Sequence, residues 1–443
     1  MIKIYDSFSQ RLQPLAPNKK QVNMYLCGPT VYNYIHVGNI RGVLVFDVLH
    51  RLLIDQNYKI NYVHNITDID DKIIKKAADL KITEQQVTEK YTLAYYEDLE
   101  KLNIISPTKL PKVSEYISKI IEFINKLIIK DYAYVTAGDV YFKVNKLKDY
   151  GSLAHKNIED LIPNFRIKNL VAKENNLDFA LWKSTTIGIS WNSPWGKGRP
   201  GWHTECACFV EALFNGQTID LHGGGVDLKF PHHENERAQF VAVNNKKMSN
   251  IWWHNGHVNI ANEKMSKSLN NFILVKEFCQ QYHPNVLRYL ILNRDHQQPI
   301  DFNKETIENG LVSTKKYENV LKQWTYQIFI NNIICNNNHH SIYYQQIIKN
   351  LSNNIDTTNT ITLIENMIKK LNEALIKKNF NEEFQEIFYT FTFALKILGF
   401  DFKVGNYSEK IKNKIKIWEQ LKKEKQYQEA DKIRQELKDL NII

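Results

Sequence analysis

The sequence predicts an α/β fold: a parallel, nucleotide-binding sheet split by an insertion and followed by a helical carboxyl-terminal region. Three observations predict it. The first hundred residues alternate strand-like and helix-like patterns, the block from about Ser106 to Pro200 breaks that texture, and the chain beyond Asp301 reads as helical to the end. The opening strand–turn–helix–strand order is that of a βαβ unit, whose parallel strands gather ligands at their carboxyl ends.

The elements follow in order. Val22 to Leu26 is a short strand entering the turn Cys27-Gly28-Pro29-Thr30. A helix is expected from about Ile40, because Val43 to Leu53 places apolar residues at helical spacing, and Lys59 to His64 is the next strand. Ile69 to Leu102 is one long helix or two successive ones. Tyr134-Val135-Thr136 and Val140 to Val144 flank Ala137-Gly138-Asp139 as a β-hairpin. Ser193 to Gly201, rich in Gly and Pro, is expected to be an ordered surface loop. Thr218 to Leu221 is a strand running into the loop His222-Gly223-Gly224-Gly225. The Asn-dominated stretch from Asn331 to Thr360 is the least structured by composition. Lys410 to Leu440 is a charged, helix-favouring tail whose Lys and Glu runs form solvated faces.

Composition bounds the function. With 443 residues, the chain is long enough for two to four domains, and 43% hydrophobic with 24% charged residues is ordinary for a globular protein. No apolar run approaches the length of a bilayer span. The amino terminus, Met1-Ile2-Lys3-Ile4-Tyr5-Asp6, lacks a signal peptide's apolar core, so the cytoplasm is the expected location. A net charge of +10 suits a polyanionic partner, nucleic acid rather than membrane, although a compositional bias toward Lys, Asn and Ile gives the same charge without binding. The five cysteines (Cys27, Cys206, Cys208, Cys279 and Cys335) are odd in number and scattered, which is no disulfide framework.

Two motifs point to phosphate chemistry. Lys264-Met265-Ser266-Lys267-Ser268 combines two lysines and two hydroxyls in a short cationic loop suited to gripping and releasing a polyphosphate. His36-Val37-Gly38-Asn39 sits where a strand turns into a helix, a start at which backbone N–H groups face a ligand. Three glycines at 223–225 let a backbone approach a nucleoside, and Asp227 is placed to accept from a ribose hydroxyl. Potential metal ligands fall in three segments, around Cys27, around Cys206 and at Phe230 to Glu236. With Pro231 as a first helical residue, His232 and Glu236 are four apart and share a helix face. Cys208 shares the face of Cys206 only if that segment is a strand.

The stretches YLCGPTVYNYIHVGNIR, NYVHNITDIDDKII, LDFALWK, SPWGKGRPGWHTECAC, LHGGGVDLKFPHHENERAQ and EKMSKSLNNF together resemble the cysteinyl-tRNA synthetase family, of class I, in that family's order. They run from about residue 20 to about residue 275. The resemblance implies a Rossmann-type nucleotide-binding catalytic domain split by an insertion, followed by a C-terminal helical bundle and a short tail domain. The corresponding boundaries are 1–105 and 201–255 for the two catalytic halves, 106–200 for the insertion, 256–310 for the KMSKS loop and stem-contact region, 311–400 for the bundle and 401–443 for a shortened anticodon-binding region.

By the same resemblance, Cys27, Cys206, His232 and Glu236 hold one Zn²⁺; His203, His222 and His233 are supporting candidates on position alone. Thr67, Trp202 and His222 contact substrate cysteine. His36, Asn39, Gly223, Gly224, Gly225, Asp227 and Lys267 bind ATP with its Mg²⁺, and His36, Lys264 and Lys267 act in catalysis. The implied partners are ATP, L-cysteine and tRNA(Cys), acting on a monomer. The family motif commonly ends in a second histidine where this chain has Asn39. The chain also ends at Asn441-Ile442-Ile443 without the family's usual tail, from which a greater dependence on the acceptor stem is expected. The alternative is a mycothiol-type cysteine ligase, with an amino-sugar acceptor.

Overall fold

The computed structural model describes residues 1–156, 173–260, 263–265, 271–331, 333, 341–404, 408–440 and 442, with Lys264 as backbone alone. The chain divides into two compact units: residues 1–281 with 296–301, and residues 282–295 with 302–443.

The first unit opens with an antiparallel pair, β1 (Lys3–Asp6) and β2 (Arg11–Pro14). Next comes β3 (Gln21–Leu26), then α1 (Val37–Asp55) and β4 (Lys59–His64), the expected βαβ unit. α1 starts three residues earlier than its apolar spacing suggests, because His36 takes the N-cap position with an extended backbone and brings Val37 into the first turn. Its apolar residues are buried nearly all round, as suits a helix with a sheet on one side and further elements on the other. The helical stretch that follows is two helices, α2 (Asp71–Leu80) and α3 (Glu84–Lys101). They separate at Lys81, in the left-handed region at φ 55°, and Thr83 restarts the helix by accepting from the Gln86 amide.

The insertion contributes α4 (Ile117–Ile129) and a five-stranded antiparallel sheet. Its order is β5 (Ala133–Thr136), β6 (Asp139–Phe142), β7 (Phe179–Ser184), β9 (Gly196–Pro200), β8 (Trp191–Ser193). This corrects the loop expected at 193–201, which is mostly strand. Its glycines serve close pairing: Gly196, at φ 125°, turns the β8–β9 hairpin, and a Cβ on Gly198 would strike the Lys183 carbonyl of the neighbouring strand.

The chain returns through the helix Glu205–Leu213 to β10 (Ile219–Gly225), the helix Glu234–Asn244 and β11 (Ser249–Asn255). The central sheet has order β11-β10-β3-β4, all parallel. β3 pairs with β4 on one side and with β10 on the other, so the strand order reverses beside it, and such a switch point opens a crevice at the carboxyl ends. The triple glycine belongs to β10 itself, not to a following loop. A Cβ on Gly223 would enter the ring of Phe46, so α1 packs directly on the strand backbone. One continuous core joins α4, β6, β7, the Glu205–Leu213 helix and the sheet through Phe123, Phe142, Leu181, Phe209 and Trp252. Burying each such side chain contributes about 1.5–3 kcal/mol.

β12 (Val258–Ile260) and β13 (Glu263–Lys264) lead into the KMSKS segment, of which Ser266, Lys267 and Ser268 lie outside the described residues. The helix Val275–Gln281 follows.

The second unit is helical throughout its described residues after Phe302. Lys304–Ile330, Thr357–Lys377 and Glu382–Ile397 enclose Trp324, Ile364, Leu371 and Phe391, and the Trp324 indole donates to the Leu371 carbonyl at 3.1 Å. Part of the Asn-rich stretch is regular after all. Ile342–Ser352 is a helix capped by Ser341, whose Ile347 and Leu351 are buried, so one apolar face outweighs the composition. Residues 332 and 334–340, Cys335 among them, lie outside the described residues. The tail is two helices, Glu409–Lys423 and Tyr427–Asp439, closed around Ile411, Ile415 and Leu437. Among the described residues no helix is long and apolar enough to cross a membrane.

Candidate active site

Four buried or half-buried side chains meet where β3 and β4 end. Cys27 follows β3, and Cys206 lies in the first turn of the helix Glu205–Leu213. His232 and Glu236 come from the π-turn Lys229–His233 and the helix after it. Pro231 is therefore not the first residue of an α-helix, since Phe230 breaks the turn with extended angles, yet the four-residue spacing still aligns the pair. His232 Nε2 stands 2.7 Å from Glu236 Oε1, Cys27 Sγ 3.8 Å from Cys206 Sγ, Cys206 Sγ 3.8 Å from His232 Nε2 and Cys27 Sγ 3.4 Å from Glu236 Oε1. All four donor atoms lie within 4.8 Å of one another. Two sulfurs on one tetrahedral zinc stand about 3.8 Å apart, given bonds of about 2.3 Å, so the separation found fits that ion.

A second combination, Cys27, His222, His233 and Glu236, is equally compact. The outer ring nitrogens separate the two. A ligating imidazole usually engages its second nitrogen in a hydrogen bond. His232 Nδ1 has His203 Nδ1 at 3.1 Å, and His233 Nδ1 has His254 Nε2 at 2.8 Å. His222 Nδ1 is buried with no partner among the described residues. The set with two sulfurs is thus the better supported. The three histidines expected behind it are there: His222 Nε2 is 2.9 Å from Glu236 Oε2, and His233 Nε2 is 3.3 Å from Cys27 Sγ.

Burial and mutual charge couple the four groups. Burial, with Cys206 and Glu236 alongside, pushes the Cys27 thiol well up. Burial also raises Cys206, but the bond from Cys27 and the His232 charge outweigh it and bring that thiol down. Burial opposes ionisation of Glu236, yet His232, His222 and His233 hold its carboxyl well below the usual range. His232 is raised to about 10: burial lowers it, and Glu236 and Cys206 more than reverse that. Cys208, on the helix rather than on a strand, faces the core, and burial raises its thiol.

A cavity of about 500 Å³ opens beside the cluster, lined among others by Cys27, His36, Asn39, Trp202, Gly224, Gly225 and Asp227. Trp202, 41% exposed, stacks on His232 at 4.4 Å between ring centroids. Gly223 is not on the cavity wall. Asn39 accepts from the His36 amide at 3.3 Å, so the residue replacing the motif's usual histidine also caps α1. The first signature pairs with the segment that follows the KMSKS loop: Val37 N donates to Ile273 O at 2.9 Å and Val275 N to Ile35 O at 3.1 Å, with His36 bridged to Leu274. The Lys264 side chain and Lys267 lie outside the described residues. A larger cavity, about 650 Å³, is lined by Phe8, Arg11, Arg237 and Lys247 and touches none of the clustered donors.

Thr67 is buried, and its hydroxyl donates to Glu205 Oε2 at 3.0 Å while receiving Asn65 Nδ2 at 3.2 Å. Asn65 and Glu205 carry no motif of their own in the sequence. One lies just past a strand end and the other just before Cys206, and that adjacency is the only local signal. Burial, then the Cys206 charge, pushes the Glu205 carboxyl well up.

Comparison with known proteins agrees over the whole chain. The family of tRNA synthetases class I (C) catalytic domain matches residues 13–312. The cysteine–tRNA ligase of Mycoplasma capricolum subsp. capricolum is 44% identical over 445 residues, covering 100% of both chains. That of Mycoplasma mycoides subsp. mycoides SC is 42% identical with the same coverage. Among solved structures, Mycobacterium tuberculosis methionyl-tRNA synthetase in complex with methionyl-adenylate superposes with TM-score 0.62 at 13% identity, over 85% of this chain and 89% of that one. LeuRS of Agrobacterium radiobacter, in a ternary complex, gives 0.62 at 10% identity over 87% and 84%. Those two likenesses concern the fold.

Proposed function

The chain belongs to the class I tRNA synthetases of the cysteine type, the cysteine–tRNA ligases, and from that membership we propose that Cys27, Cys206, His232 and Glu236 hold a zinc ion that selects L-cysteine. The convergence of two sulfurs, an imidazole and a carboxylate within 4.8 Å, beside a cavity bordered by His36, carries this reading. A zinc ion held there would take the substrate's sulfur as thiolate, a soft ligand, where serine offers a hydroxyl that ionises far less readily. Shape alone is inadequate, since a missing methylene in an apolar pocket yields only ~10–200-fold.

The remaining steps rest on the chain's own groups. The substrate carboxylate is already anionic, so its in-line attack on the α-phosphorus of ATP, which forms cysteinyl-adenylate and expels pyrophosphate, requires no general base. Positioning and neutralisation of phosphate charge supply the rate. His36 and the amino end of α1 meet the phosphates, with Mg²⁺ arriving on the nucleotide, and Lys264 and Lys267 help neutralise their charge. Gly224, Gly225 and Asp227 border the nucleoside, while Thr67 and Trp202 orient the amino acid. A terminal ribose hydroxyl of tRNA(Cys) then attacks the cysteinyl-adenylate and releases AMP. The amino-sugar ligase reading is not favoured, because the full-length relatives are cysteine–tRNA ligases.

ATP–pyrophosphate exchange with cysteine and with serine, before and after zinc removal, tests the reading. Chelation, or Cys27→Ala with Cys206→Ala, is expected to cost cysteine-dependent exchange more than the ~100-fold that losing a supporting contact costs. Undiminished exchange by the metal-free chain would falsify it.

A further inference from the structure

Resting on that metal reading, we propose that Asn65 is the positioning residue of the donor cluster, one carboxamide fixing both the spacing and the hydrogen-bond polarity of the segments that carry Cys27 and Cys206. Asn65 is fully buried, one residue past β4. Its Oδ1 accepts from the Gly28 amide at 2.8 Å and from the Tyr25 hydroxyl at 3.0 Å. A backbone amide can only donate, so the acceptor end of the carboxamide is fixed and Nδ2 must face away. Nδ2 donates to Thr67 Oγ1, and the Thr67 hydroxyl donates to Glu205 Oε2.

Gly28 follows Cys27 and Glu205 precedes Cys206. Three side chains in series therefore tie the neighbours of two sulfurs that lie 179 positions apart in sequence. The contact is close on the backbone side too, since a Cβ on Gly28 would collide with the Asn65 carbonyl oxygen. Apart from Glu205 Oε1, which has no partner among the described residues, the network has its bonds made and so favours one arrangement, and contacts behind a metal ligand govern its affinity. The polarity has a consequence for substrate. Thr67 donates to Glu205 and accepts from Asn65, which leaves its hydroxyl one free lone pair and makes it an acceptor for an ammonium group.

Full-length Asn65→Ala and Asn65→Asp test this, with thermal melting as the check on folding. Zinc retained against a competing chelator and the KM and kcat for cysteine in pyrophosphate exchange are the readouts. Asn65→Ala is expected to hold zinc about 10- to 100-fold more weakly. Asn65→Asp keeps the acceptor for Gly28 but sets an acceptor against Thr67, so its KM for cysteine rises while kcat and bound zinc largely persist. A folded Asn65→Ala chain that keeps zinc as tightly as the unaltered one overturns the proposal. Where the alanine chain does not fold, an unchanged KM in Asn65→Asp overturns it. An unaltered chain that binds no zinc overturns the metal reading instead, and the Asn65→Asp KM alone then decides the role of Asn65.

Discussion

His64 is fully buried at the end of β4, with Nδ1 2.9 Å from the Leu26 carbonyl and Nε2 2.6 Å from the Tyr95 hydroxyl. Nδ1 therefore carries the proton and donates, and Tyr95 donates to Nε2, so the ring is held neutral. Burial lowers its pKa to about 4, although the carbonyl pulls the other way. The folded value lies below the unfolded one of about 6.5, so the unfolded chain takes the proton first and stability falls as pH drops from about 6.5 to about 4. His64 alone accounts for about 2 kcal/mol between pH 7 and pH 5. Urea unfolding at the two pH values should show His64→Gln losing less stability than the unaltered chain by that amount, and equal losses would contradict the assignment. The same scale shows what a sequence hides. Cys27, Cys206, His232 and Glu236 were legible because a family pattern marked them. Asn65 and Glu205 were not, for their roles exist only once β4 and the Glu205–Leu213 helix, 138 positions apart at the Thr67–Glu205 bond, lie side by side.

Among elements, β3, α1 and β4 were legible because apolar spacing and a glycine turn agree. β8 and β9 were not, since Gly and Pro read locally as loop, whereas in an antiparallel pair Gly196 supplies the positive φ of the hairpin turn and Gly198 answers crowding from Lys183. The glycines of β10 misled in the same way. The pairing of residues 273–275 with 35–37 could not be read at all, and it makes a test. Val275 is the first residue of its helix, a position where proline is tolerated because the N–H has no intrahelical partner. Val275→Pro thus removes the bond to the Ile35 carbonyl, and since Val275 is fully buried it also alters packing there. One such bond is worth about 0.5–1.5 kcal/mol, so the KM for ATP is expected to rise by roughly 2- to 10-fold with the fold intact. An unchanged KM would mean that this pairing does not help to set the nucleotide site.

At the scale of the whole molecule, a net charge of +10 separates the two half-reactions. Adenylate formation uses small ligands held in a cavity, whereas transfer needs a polyanion whose bound counterions are released on association. Raising salt from about 50 to 200 mM should therefore raise the KM for tRNA at least tenfold and leave pyrophosphate exchange within about twofold. Parallel losses in both assays would assign the excess lysines to composition rather than to binding. The donor cluster reaches further than the chain that builds it. Two sulfurs, an imidazole and a carboxylate do not single out zinc: copper outranks it in intrinsic affinity, and softer ions suit sulfur at least as well. The faithful reading of cysteine codons would then depend on how the cell buffers its metals, and a surplus of copper would register as an error in translation.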